Sequence, residues 1–219
     1  MTTPPAPHLE QVVREVADAV LAAPPRLGEV RLVAVDGPSG SGKSTLADAL
    51  AAELDRRGVR VAVVRTDHFA TWDEPVSWWP ELASRVLDPL ARGERARYRR
   101  LVWRDGRPHP GPWLEIDPPE VLVLEGVSSA RASVASRLSH VVWVEHPDPA
   151  ERLARAVRRD GEECRSHLQA WQEFEFGWFA VDRTRERADT VVDRSRVISA
   201  TATYRDRNLR GWEGATRTG

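Results

Sequence analysis

The chain has 219 residues, 41% of them hydrophobic, and a formal net charge of −1, which suits one globular domain with a substantial core. This even charge balance gives no electrostatic basis for binding nucleic acid, and no stretch approaches the ~18 apolar residues of a membrane-spanning helix. The first residues lack a basic segment followed by an apolar run, and Cys164 is the single cysteine, so neither a secretory signal nor an intramolecular disulfide is expected. These features predict a cytoplasmic protein without a nucleic-acid or membrane partner; a homo-oligomer is compatible with the sequence.

The first predicted elements are a helix and a buried strand. Apolar residues at helical spacing indicate an amphipathic helix over residues 8–22, so that residues 1–27 form an N-terminal tail and helix. Residues 30–35 read Val-Arg-Leu-Val-Ala-Val, which is typical of a short buried β-strand rich in β-branched side chains. The segment after this strand is therefore expected at the carboxyl end of the strand.

A glycine-rich segment follows and fits the pattern G-x-x-x-x-G-K-[ST]. Its residues are Gly37, Pro38, Ser39, Gly40, Ser41, Gly42, Lys43 and Ser44, and Thr45 comes next. Leucines at i, i+4 and i+8 then predict a helix that ends near Gly58. Strand, glycine loop and helix N-terminus together form a cradle whose backbone N–H groups bind nucleotide phosphates. We therefore expect residues 37–45 to bind ATP, against the competing interpretation of a chance glycine–serine turn.

Lys43 is the only lysine among 32 basic residues, all the others being arginine. A compact ammonium group reaches the β- and γ-phosphate oxygens as a point charge, whereas a wide planar guanidinium would not fit the same gap. This exception in an arginine-rich chain indicates a catalytic role for Lys43 in clamping the phosphates. Ser44, the next residue, is expected to place its hydroxyl on a magnesium ion.

The remaining predicted strands alternate with helices. Strands are predicted over residues 59–64, 121–124, 141–144 and 190–192. Helices are predicted from Pro149 to about Arg159, after the N-cap Asp148, and from about residue 164 to 181. This alternation predicts a doubly wound, five-stranded parallel α/β sheet within one domain that spans residues 1–219.

A long insertion, residues 70–118, separates the second and third strands. It is rich in proline and contains Trp72, Trp78, Trp79, Trp103 and Trp113. We predict a short helix near residues 80–92 and otherwise loops, with a hairpin as one option. Tryptophan is most often buried, but one or two of these rings could also line a pocket for a planar or sugar-like substrate.

Two carboxylates follow buried strands. Asp67 comes after the second strand, and Glu125 comes directly after the third. The carboxyl ends of parallel strands meet at the binding edge of such a sheet, so both side chains are expected beside the glycine loop. Asp67 has the type and location of a base for an acceptor hydroxyl, and Glu125 suits the shell of a magnesium ion. In the alternative interpretation both residues cap local turns.

An arginine face is predicted on the helix after the fourth strand. Arg152, Arg155 and Arg159 recur at i, i+3 and i+7, and the helix ends near Gly161. Such a face beside a helix break is typical of a lid that closes on a nucleotide, where the arginines bind phosphates. The alternative interpretation is a solvated basic face paired with glutamates.

These residues resemble the uridine kinase and phosphoribulokinase branch of the P-loop kinases over residues 28–195. The resemblance rests on residues 37–45, Asp67, residues 121–126, the stretch from Arg155 to Asp160, and residues 188–192. It implies a P-loop NTPase fold with strand order 2-3-1-4-5, a helical lid over residues 152–165, and ATP and Mg²⁺ as cofactors.

The resemblance also implies roles for individual residues. Asp67 would be the base, Arg155 and Arg159 would act from the lid, and Glu125 would lie beside the magnesium ion. Uridine kinases carry Tyr-Asp-Phe or Tyr-Asp-Trp in the insertion, where this chain reads Leu-Val-Trp and keeps the aromatic residue as Trp103. Trp103 is therefore expected to contact the substrate, as are His68 and Phe69, which follow Asp67.

The leading functional hypothesis is an ATP- and Mg²⁺-dependent kinase that phosphorylates a hydroxyl of a small molecule. A nucleoside is the first acceptor to test, and a pantothenate-like or sugar-like alcohol is the rival. The alternative from another class is a nucleotide-binding switch or regulatory ATPase that needs no acceptor pocket. A closed aromatic pocket beside Asp67 would favour the kinase, and an exposed aromatic patch would favour the switch. A nucleic-acid motor is disfavoured because the chain lacks a basic tract.

Overall fold

The computed structural model describes residues 9–104 and 106–196. Its helices are α1 (Leu9–Ala22), α2 (Lys43–Arg56), α3 (Trp79–Leu82), α4 (Asp88–Ala91), α5 (Pro149–Asp160) and α6 (Arg165–Asp182). Its strands are β1 (Arg31–Asp36), β2 (Val61–Arg65), β3 (Ala96–Arg104), β4 (Arg107–Ile116), β5 (Val121–Glu125), β6 (Leu138–Glu145) and β7 (Thr190–Asp193). The π-helical turn Ala83–Leu87 joins α3 to α4. Within this part of the chain, no helix is both long and apolar enough to cross a membrane.

Five strands form one parallel sheet in the order β2-β5-β1-β6-β7. Numbered along the parallel strands alone, this is the predicted order 2-3-1-4-5, so the doubly wound α/β prediction is confirmed. β6 begins three residues before the predicted segment 141–144, at Leu138. The polar residues Ser139 and His140 conceal this start in the sequence, although His140 is buried and hydrogen-bonded to Thr190.

The sheet is covered on both faces because the central strands β1 and β5 are apolar at every position apart from polar terminal residues. In β1, Val33 and Val35 pack into a cluster with α1 and α2, while Leu32 and Ala34 pack into a second cluster with α3 and α4. Such continuous apolar strands are expected in parallel sheets buried on both faces. The rigid sheet therefore presents the carboxyl ends of β1, β2 and β5 along one edge.

The insertion is more regular than predicted. The helical run over residues 79–91 matches the predicted short helix, and the hairpin that was one option for the rest of the insertion is confirmed as the antiparallel pair β3–β4. Three prolines at alternating positions, Pro108, Pro110 and Pro112, concealed strand β4 in the sequence. Proline is tolerated there because each strand of a two-stranded ribbon has a free edge, where no N–H group is required for pairing.

Helix α5 begins as predicted. The Asp148 side chain accepts hydrogen bonds from the N–H groups of Ala150 and Glu151 at 2.8 and 3.2 Å, and Pro149 occupies the first turn. Gly161 ends the helix at φ 103°, a conformation that favours glycine. Ala156 and Val157 pack with Cys164 and Leu168 in a small cluster that is separate from the two clusters on the sheet.

Candidate active site

A cavity of about 780 Å³ lies at the carboxyl ends of β1, β2 and β5. The glycine loop, α5, the start of α6 and the tip of the β3–β4 hairpin complete its walls. The predicted site residues that line it are Ser39, Gly40, Gly42, Lys43, Ser44, Thr45, Asp67, Trp103, Glu125, Arg155 and Arg159. The fold thus brings the proposed phosphate, metal, base and lid residues to one cavity.

The glycine loop is closely packed beneath this cavity. A Cβ atom on Gly37 would come within 2.0 Å of the Val144 carbonyl oxygen, and one on Gly40 within 2.2 Å of the Arg152 carbonyl oxygen. Glycine at these two positions is therefore required by the close approach of neighbouring backbone. Helix α2 begins at Lys43, so its free N–H groups and the positive end of its dipole lie at the cavity, as anion binding requires. Gly37, Pro38 and Ser41 support the loop without lining the cavity.

Lys43 has a largely buried side chain held against the loop. Its Nζ donates a hydrogen bond to the Pro38 carbonyl oxygen at 3.0 Å, and the residue is 7% exposed. Within the described residues, no carboxylate forms an ion pair with this ammonium. A buried charge without a partner charge is costly, and a phosphate in the cavity would supply one.

Glu125 and Ser44 form an oxygen-rich pair next to the loop. Glu125 is 4% exposed; its Oε1 accepts a hydrogen bond from the Ser44 hydroxyl at 3.1 Å, and its Oε2 accepts one from Arg65 at 2.9 Å. Burial raises the pKa of Glu125, the charge of Asp67 raises it further, and the positive charges of Lys43 and Arg65 oppose this rise. The carboxylate does not cap a neighbouring segment, which was the alternative interpretation.

The pair of oxygen ligands fits a magnesium ion of the kind found at phosphoryl-transfer sites. The residues described contain no cluster of three or more His, Cys, Asp or Glu side chains that could hold a metal by themselves. Mg²⁺ usually takes only one or two protein ligands and completes its shell with water and substrate phosphates. Ser44 and Glu125 are therefore the residues that would hold it.

Arg65 is a site residue that the sequence analysis missed. It lies at the end of β2, lines the cavity, and bridges Glu125 and Asp48 with hydrogen bonds of 2.9 and 2.5 Å. An arginine that directly follows four apolar strand residues is the signal that could have revealed it. The positive charge of its guanidinium compensates the negative charge of the buried Glu125 carboxylate.

Asp67 lies in the 3₁₀ turn Thr66–His68 at the end of β2 and is exposed at the cavity wall. Among the residues that the structure describes, none forms a hydrogen bond or an ion pair with its carboxylate. In particular, Asp67 does not cap the turn, so the alternative interpretation finds no contact to support it. A carboxylate that is free to accept a proton at the cavity suits the base role, which stays a prediction.

His68 and Phe69 do not line the cavity, in contrast to the expectation that they contact the substrate. The His68 ring lies 3.0 Å from the Tyr98 hydroxyl through Nδ1, and Phe69 stacks on Tyr98 and Trp78 in the core. The 3₁₀ turn directs successive side chains to different sides, so Asp67 faces the cavity while Phe69 points into the protein. These two residues attach the insertion to the sheet.

The partly buried His68 predicts a pH-dependent stability. The pKa of His68 is lowered from 6.5 to about 4, mainly by burial; the charge of Asp67 opposes this shift, and the positive charges of Arg100 and Arg65 contribute to it. Between these two pH values His68 is protonated in the unfolded chain but stays neutral in the folded protein. We expect the free energy of unfolding to fall as pH drops from 6.5 towards 4, by up to about 1.4 kcal/mol per pH unit from this residue.

Urea unfolding of the wild type and of His68→Gln, at several pH values between 7.5 and 4.5, measures this effect. The substitution should flatten the pH dependence, whereas His109→Gln, at an exposed histidine of the hairpin, should leave it unchanged. Equal slopes for the wild type and His68→Gln would show that His68 is not the group concerned.

Three tryptophans form the wall opposite the glycine loop. Trp72 contacts Trp103 edge-on at a centroid distance of 4.9 Å and Trp171 at 5.9 Å, and its Nε1 donates to the Gly106 carbonyl oxygen at 2.8 Å. All three rings line the cavity. Trp171 belongs to α6 and was missed, because the sequence analysis considered only the tryptophans of the insertion. Trp78 is buried in the core, and Trp113 is 49% exposed away from the cavity.

The arginines of helix α5 lie in different environments. Arg155 and Arg159 line the cavity, while Arg152 lies against the glycine loop and Arg158 is exposed. Arg159 is paired with Asp160, whose carboxylate raises the pKa of the guanidinium further. Two guanidinium groups of α5 thus lie at the cavity that the glycine loop also lines.

Asp36 is a fully buried carboxylate that the sequence analysis also missed. It accepts hydrogen bonds from the N–H groups of Gly37, Ser128 and Ala130 at 2.7, 3.1 and 2.9 Å. Burial raises its pKa to about 7, although these hydrogen bonds and the charge of Lys43 favour the ionised form. Asp36 ties the start of the glycine loop to the segment after β5, and its place at a strand end is the same signal that identified Glu125.

Comparison with known proteins gives one family match and several structural matches. The family model "Methylmalonyl Co-A mutase-associated GTPase MeaB" matches residues 6–72. No curated protein sequence matches the chain significantly. A possible uridine kinase from Bacillus stearothermophilus superposes with a TM-score of 0.63 and 18% identity, covering 84% of this chain and 99% of that chain.

Two further solved structures agree with this match. A putative fructose transport system kinase from Silicibacter sp. TM1040 has a TM-score of 0.54 and 20% identity, covering 84% of this chain and 97% of that chain. The D-glycerate 3-kinase from Cryptococcus neoformans has a TM-score of 0.56 and 14% identity, covering 75% and 87%. The expected resemblance is thus confirmed at the level of structure: the chain has the fold of the P-loop kinases and is similar to uridine kinase-like proteins.

Proposed function

We propose that the chain is an ATP- and Mg²⁺-dependent phosphotransferase that phosphorylates a hydroxyl group of a small molecule, with a nucleoside as the first acceptor to test. The observation that carries this proposal is the continuity of one cavity from the glycine loop past Asp67 to the wall of tryptophans. A switch protein needs only the nucleotide half of such a cavity. The tryptophan half provides space for an acceptor beside the carboxylate that would receive its proton.

The proposed chemistry divides among the cavity residues. The loop N–H groups and Lys43 would bind the phosphates, and Arg155 and Arg159 would neutralise the charge that develops during transfer. Magnesium, when bound at Ser44 and Glu125, would supply further neutralisation of the phosphate oxygens. Asp67 would orient the acceptor hydroxyl and take its proton.

The tryptophan wall favours an acceptor with a flat or ring-shaped face. Trp72, Trp103 and Trp171 provide aromatic surface, and the cavity also has the carboxylates of Asp160 and Glu163 for hydroxyl or amino groups. A nucleoside offers both a planar base and sugar hydroxyls, and a sugar-like alcohol offers hydroxyls and an apolar ring face. A pantothenate-like alcohol has no ring and suits this wall least.

An ATP-consumption screen tests the proposal directly. Nucleosides, sugars and vitamins that carry a hydroxyl group would be offered with Mg·ATP, and each positive reaction would be repeated with Asp67→Asn. Consumption that depends on one acceptor and is lost in the variant supports the kinase. Consumption that is the same with and without every acceptor counts against it.

A GTP-dependent switch is the second candidate, favoured by the match of residues 6–72 to a GTPase family model. This match covers α1, β1, the glycine loop, α2, β2 and the turn containing Asp67. Measurement of ATP and GTP affinities by the same titration discriminates the candidates. Preference for GTP together with acceptor-independent hydrolysis would favour the switch.

The lid proposal makes a prediction about hydrogen exchange. Residues 152–165 pack through a small separate cluster, and such weakly packed segments open at low free-energy cost. If they close over ATP, a non-hydrolysable analogue with Mg²⁺ should slow amide exchange in residues 152–165. Helix α1 contributes no residue to the cavity and serves as an internal control that should not change. Unchanged exchange in residues 152–165 at saturating analogue would contradict the lid and favour the alternative interpretation, in which the arginines of α5 form a solvated basic face.

A further inference from the structure

Glu175 is a buried carboxylate on a helix that is otherwise mostly exposed. It is 1% exposed, and on α6 only Leu168 is comparably buried. Both carboxylate oxygens accept the N–H group of Ser39, at 3.0 and 2.9 Å, and Oε1 also accepts the Ser39 hydroxyl. A buried charge is costly and is retained where its hydrogen bonds satisfy it. Within the described residues, every hydrogen bond of this carboxylate is made with Ser39 of the glycine loop.

The same short segment of the loop is held from a second side by α5. The Arg152 guanidinium donates to the Ser39 carbonyl oxygen at 3.4 Å, and the Arg152 carbonyl oxygen lies against Gly40. Burial lowers the pKa of Arg152, and the charge of Glu175 partly opposes this effect. The N–H, hydroxyl and carbonyl groups of Ser39 are therefore all bound by side chains of α5 and α6.

We propose that Glu175 is a positioning residue for phosphate binding, which acts through Ser39 to hold the first half of the glycine loop in the shape that receives a nucleotide phosphate. This inference rests on the proposed function, since it takes the loop as a phosphate cradle. Backbone N–H groups bind an anion strongly only when the loop already has the geometry in which they converge. The Ser39 N–H is fully engaged by Glu175, so Glu175 contributes loop shape and no ligand to the phosphate.

The direction in which nucleotide affinity changes when Glu175 is replaced distinguishes a positioning role from an inhibitory one. A negative charge near the cradle would by itself repel phosphate, so a purely electrostatic or inhibitory role predicts tighter nucleotide binding when the charge is removed. A positioning role predicts weaker binding, because the loop then samples shapes in which its N–H groups diverge. A role limited to packing predicts lower thermal stability with unchanged nucleotide affinity.

Calorimetric titration with Mg·ADP, or with Mg·GDP if the wild type prefers GTP, tests the inference, because both a kinase and a switch must bind their nucleoside diphosphate. We expect Glu175→Gln to weaken binding by about tenfold, the effect of losing a charge-assisted hydrogen bond, and Glu175→Ala to weaken it further. Ser39→Ala removes only the hydroxyl bond and should weaken binding by about threefold, with no additional loss in the Glu175→Ala background. Glu173→Gln, at an exposed position on the same helix, is the matched control and should bind like the wild type.

The outcomes for this inference and for the proposed function are distinguishable. Equal or tighter Mg·ADP binding by folded Glu175→Gln overturns the positioning role, whether or not the wild type is a kinase. Weaker binding supports it even if no acceptor is ever phosphorylated, which would refute only the kinase. Thermal unfolding of each variant identifies a loss that reflects unfolding, and a lower melting temperature with normal affinity again overturns the role. A wild type that binds neither Mg·ADP nor Mg·GDP would refute both proposals.

Discussion

Replacement of Lys43 with alanine is expected to abolish phosphoryl transfer while the protein stays folded. The ammonium makes one hydrogen bond to the Pro38 carbonyl oxygen and lines the cavity, so its loss removes little from the core. It does remove the one lysine that could neutralise the β- and γ-phosphates in the transition state. Loss of such a preorganised charge typically lowers turnover by ~10²–10³-fold or more.

Lys43→Arg should also lose phosphoryl transfer, since a planar guanidinium cannot replace the compact ammonium group in the gap beneath the loop. Turnover would be measured with the acceptor found in the screen, and thermal unfolding would show whether each variant is folded. Arg56→Ala, at the other end of α2 with an exposed side chain, is the control that should keep normal turnover. Near-normal activity of Lys43→Ala would refute the assignment of the glycine loop.

Replacement of Asp67 with asparagine is expected to lower transfer by the ~10²–10⁴-fold typical of losing a general base. Nucleotide affinity should change little, because the side chain of Asp67 has no hydrogen bond or ion pair with any described residue and the amide has the same shape. Single-turnover transfer and Mg·ADP titration together measure the two quantities. Asp73→Asn, at a nearby exposed residue that does not line the cavity, is the matched control.

Each alternative outcome for Asp67 has a defined meaning. Equal losses of nucleotide binding and transfer would assign Asp67 to the metal shell beside Glu125, whose pKa its charge already raises. Loss of hydrolysis alone, with no acceptor phosphorylated by the wild type, would favour the switch. Only a loss of phosphoryl transfer with unchanged nucleotide binding supports the role of Asp67 as the base.

Much of the architecture could be predicted because it depends on local pattern. Runs of β-branched residues identified all five strands of the parallel sheet, and the glycine spacing identified the loop between β1 and α2. Asp148 and Pro149 identified the start of α5, because capping involves residues only two or three positions apart. The strand order came from the family resemblance, since local pattern carries no information about which strands are neighbours.

The insertion shows where local pattern misled. Strand β4 carries three prolines and pairs as a ribbon with β3, which no propensity argument favours. Asp67 and Phe69 were both expected at the site, yet the 3₁₀ turn sends only Asp67 to the cavity. The direction of a side chain in a tight turn depends on backbone angles that the residue types alone do not specify.

By itself, the sequence determined the phosphate loop, its single lysine, the carboxylates Asp67 and Glu125 and the α/β class. Each of these features depends on residues that are neighbours along the chain. The tertiary structure alone decided which distant residues complete the site. Arg65 meets Glu125 across 60 positions, and Glu175 meets Ser39 across 136 positions. Trp171 of α6 joins Trp72 at the cavity wall. The first contact depends on the pairing of β2 with β5, and the other two depend on how α6 and the insertion pack beside the sheet. Pairing and packing between distant segments leave no periodic signal along the chain.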